Sequence, residues 1–234
     1  MVKQARWHGV VGGFALRVRI DYSPRVMATA RTSTPARTGS LLAGWPIVGW
    51  STLVVAALCV LVLVAAGGGE AGCRATVRLT ARTSFAFFIA AFVASSVRRL
   101  WPNALTRWLL ANRRYIGVSF AASHAIHLLG IIALAHLVPD FTIGPPALIG
   151  GGLAYVFLAA MTATSFDRTA AWLGSRRWHL LHKSGMYWCW FIFFISYVPR
   201  ALTASNPADS ALYAPFVATL LGALVVRAAA RSPA

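Results

Sequence analysis

Six apolar stretches, separated by glycine, proline or clusters of arginine, divide the chain from residue 41 onward. The first runs from about Leu41 to Ala66 and stops at Gly67-Gly68-Gly69. The second covers Ser84 to Leu100 and ends where Trp101-Pro102-Asn103 breaks a helix. The third spans Tyr115 to Val138, the fourth Ala147 to Phe166, the fifth Trp178 to Val198 and the sixth Ala211 to Val226. Runs of about 20 apolar residues are long enough to cross a hydrocarbon core of ~30 Å as helices. The pattern therefore predicts an all-α, polytopic membrane protein, a six-helix transmembrane bundle. Between the runs lie a short polar loop with Glu70, Cys73, Arg74, Arg78 and Arg82, a basic loop over 102–114, and a basic loop with Asp167, Arg168, Arg176 and Arg177. Residues 1–40 hold no run that could bury a core, and they read as a basic, disordered cytoplasmic tail. Met27-Ala-Thr-Ala-Arg offers an alternative start within it.

Composition agrees with this division. The hydrophobic set makes up 58% of the 234 residues and only five are acidic, too little charge to cover a soluble surface. The formal charge of +17 raises the question of nucleic acid. The arginines, however, lie between apolar runs, as in loops beside an anionic leaflet, and no basic-aromatic nucleic-acid module is present. The lipid bilayer is the expected partner, and nucleic acid is not. Lys and Arg concentrate in residues 1–40, 98–114, 167–177 and after 226. That places both termini in the cytoplasm. Arg74, Arg78 and Arg82 in the first outer loop are the misfit. Trp45, Trp101, Trp108, Trp172 and Trp178 stand near run ends, as interfacial anchors do. Cys59, Cys73 and Cys189 show no metal-like or disulfide-like spacing.

Histidine is the residue that changes the picture. His124 and His127 lie deep in the third run, and His179 and His182 open the fifth. An imidazole in hydrocarbon is costly unless its nitrogens are satisfied, and an intramembrane ionisable residue is a functional candidate by default. Each pair is spaced i, i+3 and so shares one helix face. The third and fifth runs both start on the cytoplasmic side and run parallel. An imidazole from each could grip one haem iron from opposite sides, which suits electron transfer. For His127 and His182 ligation is set ahead of simple helix-bridging hydrogen bonds. For His124 and His179 the order is reversed. His136 faces elsewhere and reads as an interfacial residue, the least favoured of the metal candidates along with His124 and His179. Depth is the difficulty: His127 lies about 20 Å beyond Arg114, whereas His182 lies only about 7 Å beyond Arg177. Arg113, Arg114 and Arg177 are candidates to pair the haem propionates, with lipid headgroups as the plainer partners.

Arg113-Arg114-x-Ile-Gly-Val followed by His127 resembles the third helix of the ferric reductase-like transmembrane domain family. Val97-Arg98-Arg99-Leu100 before it, and Thr164-Ser165, Leu173-Gly174, Trp178 and Leu181-His182-Lys183 after it, follow the same family in order. The likeness covers residues 84–198. It is nearest to the haem-binding membrane subunit of the bacterial periplasmic methionine sulfoxide reductase system. The resemblance implies a six-span haem b domain over 41–229, with His127 and His182 as the axial pair of the haem nearer the cytoplasm. It also implies an outer haem, but Ile195 and Phe141 stand where the family's further histidines fall. One haem is therefore expected and a second is not secured.

The resulting expectation is a b-type haem membrane electron-transfer subunit of an oxidoreductase. Electrons would come from a quinol or a cytoplasmic flavin reductase, the flavin or quinone belonging to the partner. They would pass to an extracytoplasmic reductase or metal ion. The competing expectation is a haem-free transporter or assembly subunit that keeps the fold.

Overall fold

The computed structural model describes residues 10–11, 14–15, 42–203 and 207–232. The chain divides into two units, Met1–Ser40 and Leu41–Ala234. In the first, β1 (Val10–Val11) pairs antiparallel with β2 (Phe14–Ala15), Val10 opposite Ala15 and Val11 opposite Phe14. Apart from these four paired residues, the expectation of a disordered tail, and the alternative start at Met27, fall on residues outside the described ones.

The second unit is helical: α1 (Trp45–Ala65), α2 (Gly69–Leu100), α3 (Ala104–Ala111), α4 (Arg113–Leu137), α5 (Pro145–Ala163), α6 (Asp167–Leu173), α7 (Ser175–Thr203) and α8 (Pro207–Ala229). It is a helical membrane protein. Among the described residues α1, α2, α4, α5 and the Ala211–Ala229 part of α8 are long and apolar enough to cross a bilayer. The aromatic α7, with 29 residues, is about 43 Å long at 1.5 Å per residue and is not one of these five. Its tryptophans, tyrosines and N-terminal basic residues keep it below the hydropathy of the other five.

Helix α2 corrects the expected second span. It starts at Gly69, so Arg74, Arg78 and Arg82 are on a helix and not in a loop. Their spacing of four puts them on one face, and Arg74 pairs with Glu70 one turn earlier at 2.6 Å. Gly67, Gly68 and Gly69, all at positive φ, turn the chain between α1 and α2. Gly72 then meets α1 closely: a Cβ on it would lie 2.8 Å from the Leu63 carbonyl oxygen. The two loops read as basic also contain helices. Asn103 caps α3 through a capping box with Thr106, and α6 ends at Gly174, whose φ of 78° lets the chain turn directly into α7.

Helix α2 packs against α1, α4 and α8, and α7 joins α5 to α8. Along α4 a stripe at every fourth position faces α1 and α2. Ser119 bonds Ser51 at 2.8 Å, Ser123 bonds Thr83 at 2.9 Å and Ser84 at 3.0 Å, and His127 bonds Thr80 at 3.0 Å. Small hydroxyl residues let membrane helices approach and hold them by hydrogen bonds. On the other side of α2, Phe85, Phe88 and Phe92 meet Phe120, Phe193 and Tyr197 in an aromatic core.

Candidate functional site

The first turns of α4 and α7 stand beside the ends of α2, α5 and α8, because each carries a basic run that closes the same end of the bundle. Arg113 reaches the Ala91 carbonyl of α2 at 2.9 Å and Ser95 at 3.2 Å. Arg114 pairs with Asp167 at the start of α6 at 2.7 Å. Arg227 near the end of α8 donates to the Phe92 carbonyl of α2, and Arg99 donates to the Ala230 carbonyl.

Among these residues lies a cavity of about 620 Å³, within the ~300–1,000 Å³ range of cofactor and ligand pockets. Its wall is divided. Phe120, Leu158, Met161 and Met186 form an apolar part, and Gly117 leaves the α4 side low. Arg113, Arg114, Lys183 and Arg227 bring four cations, with Asp167 as the single carboxylate. His179 and His182 line it from α7. An apolar wall with an excess of fixed positive charge at one end suits an amphiphilic anion.

The His182 ring is held firmly. It stacks on Trp178 with centroids 4.0 Å apart and planes at 23°. Its Nε2 lies 3.1 Å from Thr164 Oγ1. The Thr164 hydroxyl donates its one proton to the Ala160 carbonyl at 2.8 Å, so it accepts from His182 Nε2–H, and Nδ1 carries the free lone pair. The Thr164 carbonyl accepts from Trp178 Nε1 at 2.9 Å. Thr164 thus fixes both rings of the stack.

His127 lies elsewhere. Its Nδ1 is 3.1 Å from the Val77 carbonyl and 3.0 Å from Thr80 Oγ1. A carbonyl only accepts, so Nδ1 carries the proton and bridges α4 to α2. His127 does not line the cavity. The α4 residues that share the cavity with His182 are Arg113, Arg114, Gly117 and Phe120, and His127 is about 10 Å beyond Phe120 along the helix. The structure therefore does not assemble the expected His127–His182 pair around one space. His182 lies about 10 Å beyond the start of α7 at Ser175, and His127 about 21 Å beyond the start of α4 at Arg113. Phe193, about 16 Å beyond His182 along α7, is the residue that reaches His124.

The remaining candidates separate as follows. His124 lies between His127, at 5.1 Å between centroids, and Tyr155, at 4.8 Å, and its buried Nδ1 has no hydrogen-bond partner. His179 is exposed at the cavity mouth against Trp178. His136 is exposed in the last turn of α4. Arg177 is exposed and does not line the cavity, while Arg113 and Arg114 do. Sequence reasoning did not single out Lys183 or Arg227 as site residues. Lys183 follows His182 directly, but Arg227 is 114 residues from Arg113 and nothing in the sequence links them.

Fold and site together define a class: a polytopic helical membrane protein with an amphiphilic, histidine-bearing cavity at its basic end. No protein-family model, curated protein or solved structure matches the chain. Among the described residues no group of three or more His, Cys, Asp or Glu side chains is placed to hold a metal ion. A haem needs fewer ligands from the chain, one or two axial atoms and cations for its propionates. The cavity residues fit that requirement through His182 and the arginines. They do not supply the second imidazole from His127.

Proposed function

We propose that this chain is a b-type haem electron-transfer protein of the membrane, with the haem in the cavity at its basic end. The observation that carries this reading is a pinned imidazole, His182, in a cavity of about 620 Å³ with an apolar wall and several cations. His182 is the iron ligand in this reading. Ligation through Nε2 requires the ring to release Thr164, and ligation through Nδ1 leaves that bond in place. Arg113, Arg114, Lys183 and Arg227, which line the cavity, would hold the propionates. Bound haem supplies one-electron chemistry, and the chain sets its potential and shields it from water. In this reading α7 is a sixth span, and both termini and the cavity lie toward the cytoplasmic face of a bacterial inner membrane, which the basic residues at that end support. Electrons would enter there from a quinol or a flavoprotein partner and leave toward an extracytoplasmic acceptor.

One observation favours a second reading, a haem-free transporter or assembly subunit. Both His127 and His182 already have threonine partners, so neither ring needs a metal to be satisfied. The absorption spectrum of protein purified from haem-replete cells separates the two. A Soret band that sharpens and shifts with dithionite, persists in His127→Ala and disappears in His182→Ala is expected. A colourless wild-type protein refutes the haem reading. A band lost in His127→Ala and kept in His182→Ala refutes the ligand assignment.

A further inference from the structure

We propose that Arg113 and Arg227 form a two-guanidinium clamp for an anionic head group carried by an apolar body lying in the cavity. This rests on the haem reading for its first ligand, whose two carboxylates it would hold. Arg113 extends from the first turn of α4 and Arg227 from the last turn of α8. They donate to the carbonyls of consecutive α2 residues, Ala91 and Phe92, which sets the two guanidinium groups side by side. Arg227 is fixed further by stacking over the Phe92 ring at 4.2 Å and by a 3.4 Å bond from Nε to the Tyr187 hydroxyl.

Neither arginine has a carboxylate partner among the described residues. The ion pairs there are Arg74 with Glu70 and Arg114 with Asp167. Two like charges beside an apolar wall repel each other and lose hydration, and backbone carbonyls compensate only part of that cost. The bonds named above use Nε and Nη1 of each residue and leave both Nη2 groups unengaged. Guanidinium forks fit carboxylate and phosphate oxygens in bidentate fashion. The two guanidinium groups therefore match two carboxylate arms or one phosphate. Phe120, Leu158 and Met161 provide the surface for the body behind them.

The chemistry has two sources, the propionates of a haem or the phosphate of an acidic phospholipid, and the test separates them. The full chain in detergent is titrated with haem and with haem dimethyl ester, whose carboxylates are capped. Wild type should bind haem at least about tenfold more tightly than the ester, as charge-assisted hydrogen bonds require. Arg113→Gln and Arg227→Gln should each reduce that preference, and Arg227→Lys should retain part of it. The Soret position should stay fixed in all three, because the clamp does not touch the iron. Thermal midpoints of the same proteins exclude unfolding as the cause. Equal wild-type affinity for haem and ester overturns a propionate clamp. If wild type binds neither, the haem reading fails, and the clamp is then tested by native mass spectrometry of protein exchanged into phosphatidylglycerol or phosphatidylcholine. Selective retention of phosphatidylglycerol that is lost in Arg227→Gln supports the clamp with a lipid source. No selectivity overturns it.

Discussion

The role of His127 can be decided by coupling it to Thr80. One N–H, on Nδ1, is shared between the Val77 carbonyl at 3.1 Å and the Thr80 hydroxyl at 3.0 Å. Thr80 is fully buried and donates its own proton to the Thr76 carbonyl at 2.8 Å. Thr80→Val keeps the shape of the side chain and removes one of the two acceptors. His127→Leu removes the donor and leaves the Thr80 hydroxyl bonded to Thr76. Side-chain hydrogen bonds between membrane helices average about 0.6 kcal/mol and reach about 1.7. The Val77 carbonyl still accepts in Thr80→Val, so the coupling belongs near the lower figure, about threefold in the unfolding equilibrium. The assay is reversible unfolding of wild type, both single variants and the double variant in bicelles, evaluated as a double-mutant cycle. The absorption spectrum of His127→Leu is recorded on the same preparations and should keep its Soret band. A coupling within about 0.3 kcal/mol of zero refutes the bridging role, since independent sites add within about that limit. A lost Soret band with native stability returns His127 to the iron.

Two further outcomes test the packing and the electrostatics. Gly72→Ala places a methyl 2.8 Å from the Leu63 carbonyl oxygen, which cannot rotate away, so α1 must shift; a loss of about 1–3 kcal/mol in the same unfolding assay is expected, as for other overpacked sites, and an unchanged midpoint contradicts the close approach of α1 and α2. Asp167→Asn breaks the 2.7 Å pair with Arg114, yet the Asp167 side chain is 95% exposed; stability should change by less than about 0.5 kcal/mol, and a larger loss means the pair is shielded from solvent.

The class of the protein was legible because apolar run length alone separates a membrane bundle from a soluble domain. The errors in the sequence reading have particular causes. Arg74, Arg78 and Arg82 suggested a loop because charge was weighed ahead of spacing. Their interval of four was itself the signal for a helix, and α2 runs through all of them. With 32 residues, or about 48 Å, α2 exceeds the hydrocarbon thickness, so its charged turns need not enter the bilayer core. The shared face of His124 and His127 followed correctly from helical periodicity, and their rings stack. Periodicity gives direction around a helix and not depth relative to another, so by itself it does not say which α7 residues they meet. Depth depends on where each helix starts. A few residues at the α6–α7 turn decide whether His182 stands level with His127 or with Gly117.

That distinction also explains which residues make the cavity. Threonines at positions 80 and 164 satisfy the two histidines locally, one between α2 and α4 and one between α5 and α7. Each imidazole is thus tied to its own helix pair. The arginines behave in the opposite way. Arg113 and Arg227 extend from distant parts of the sequence to adjacent carbonyls of α2, and among the described residues no carboxylate pairs with either. A histidine bonded to threonine is at rest electrostatically, whereas paired guanidinium groups beside phenylalanine are not. Among the described residues, the demand left unmet in this bundle is therefore for negative charge at the basic end.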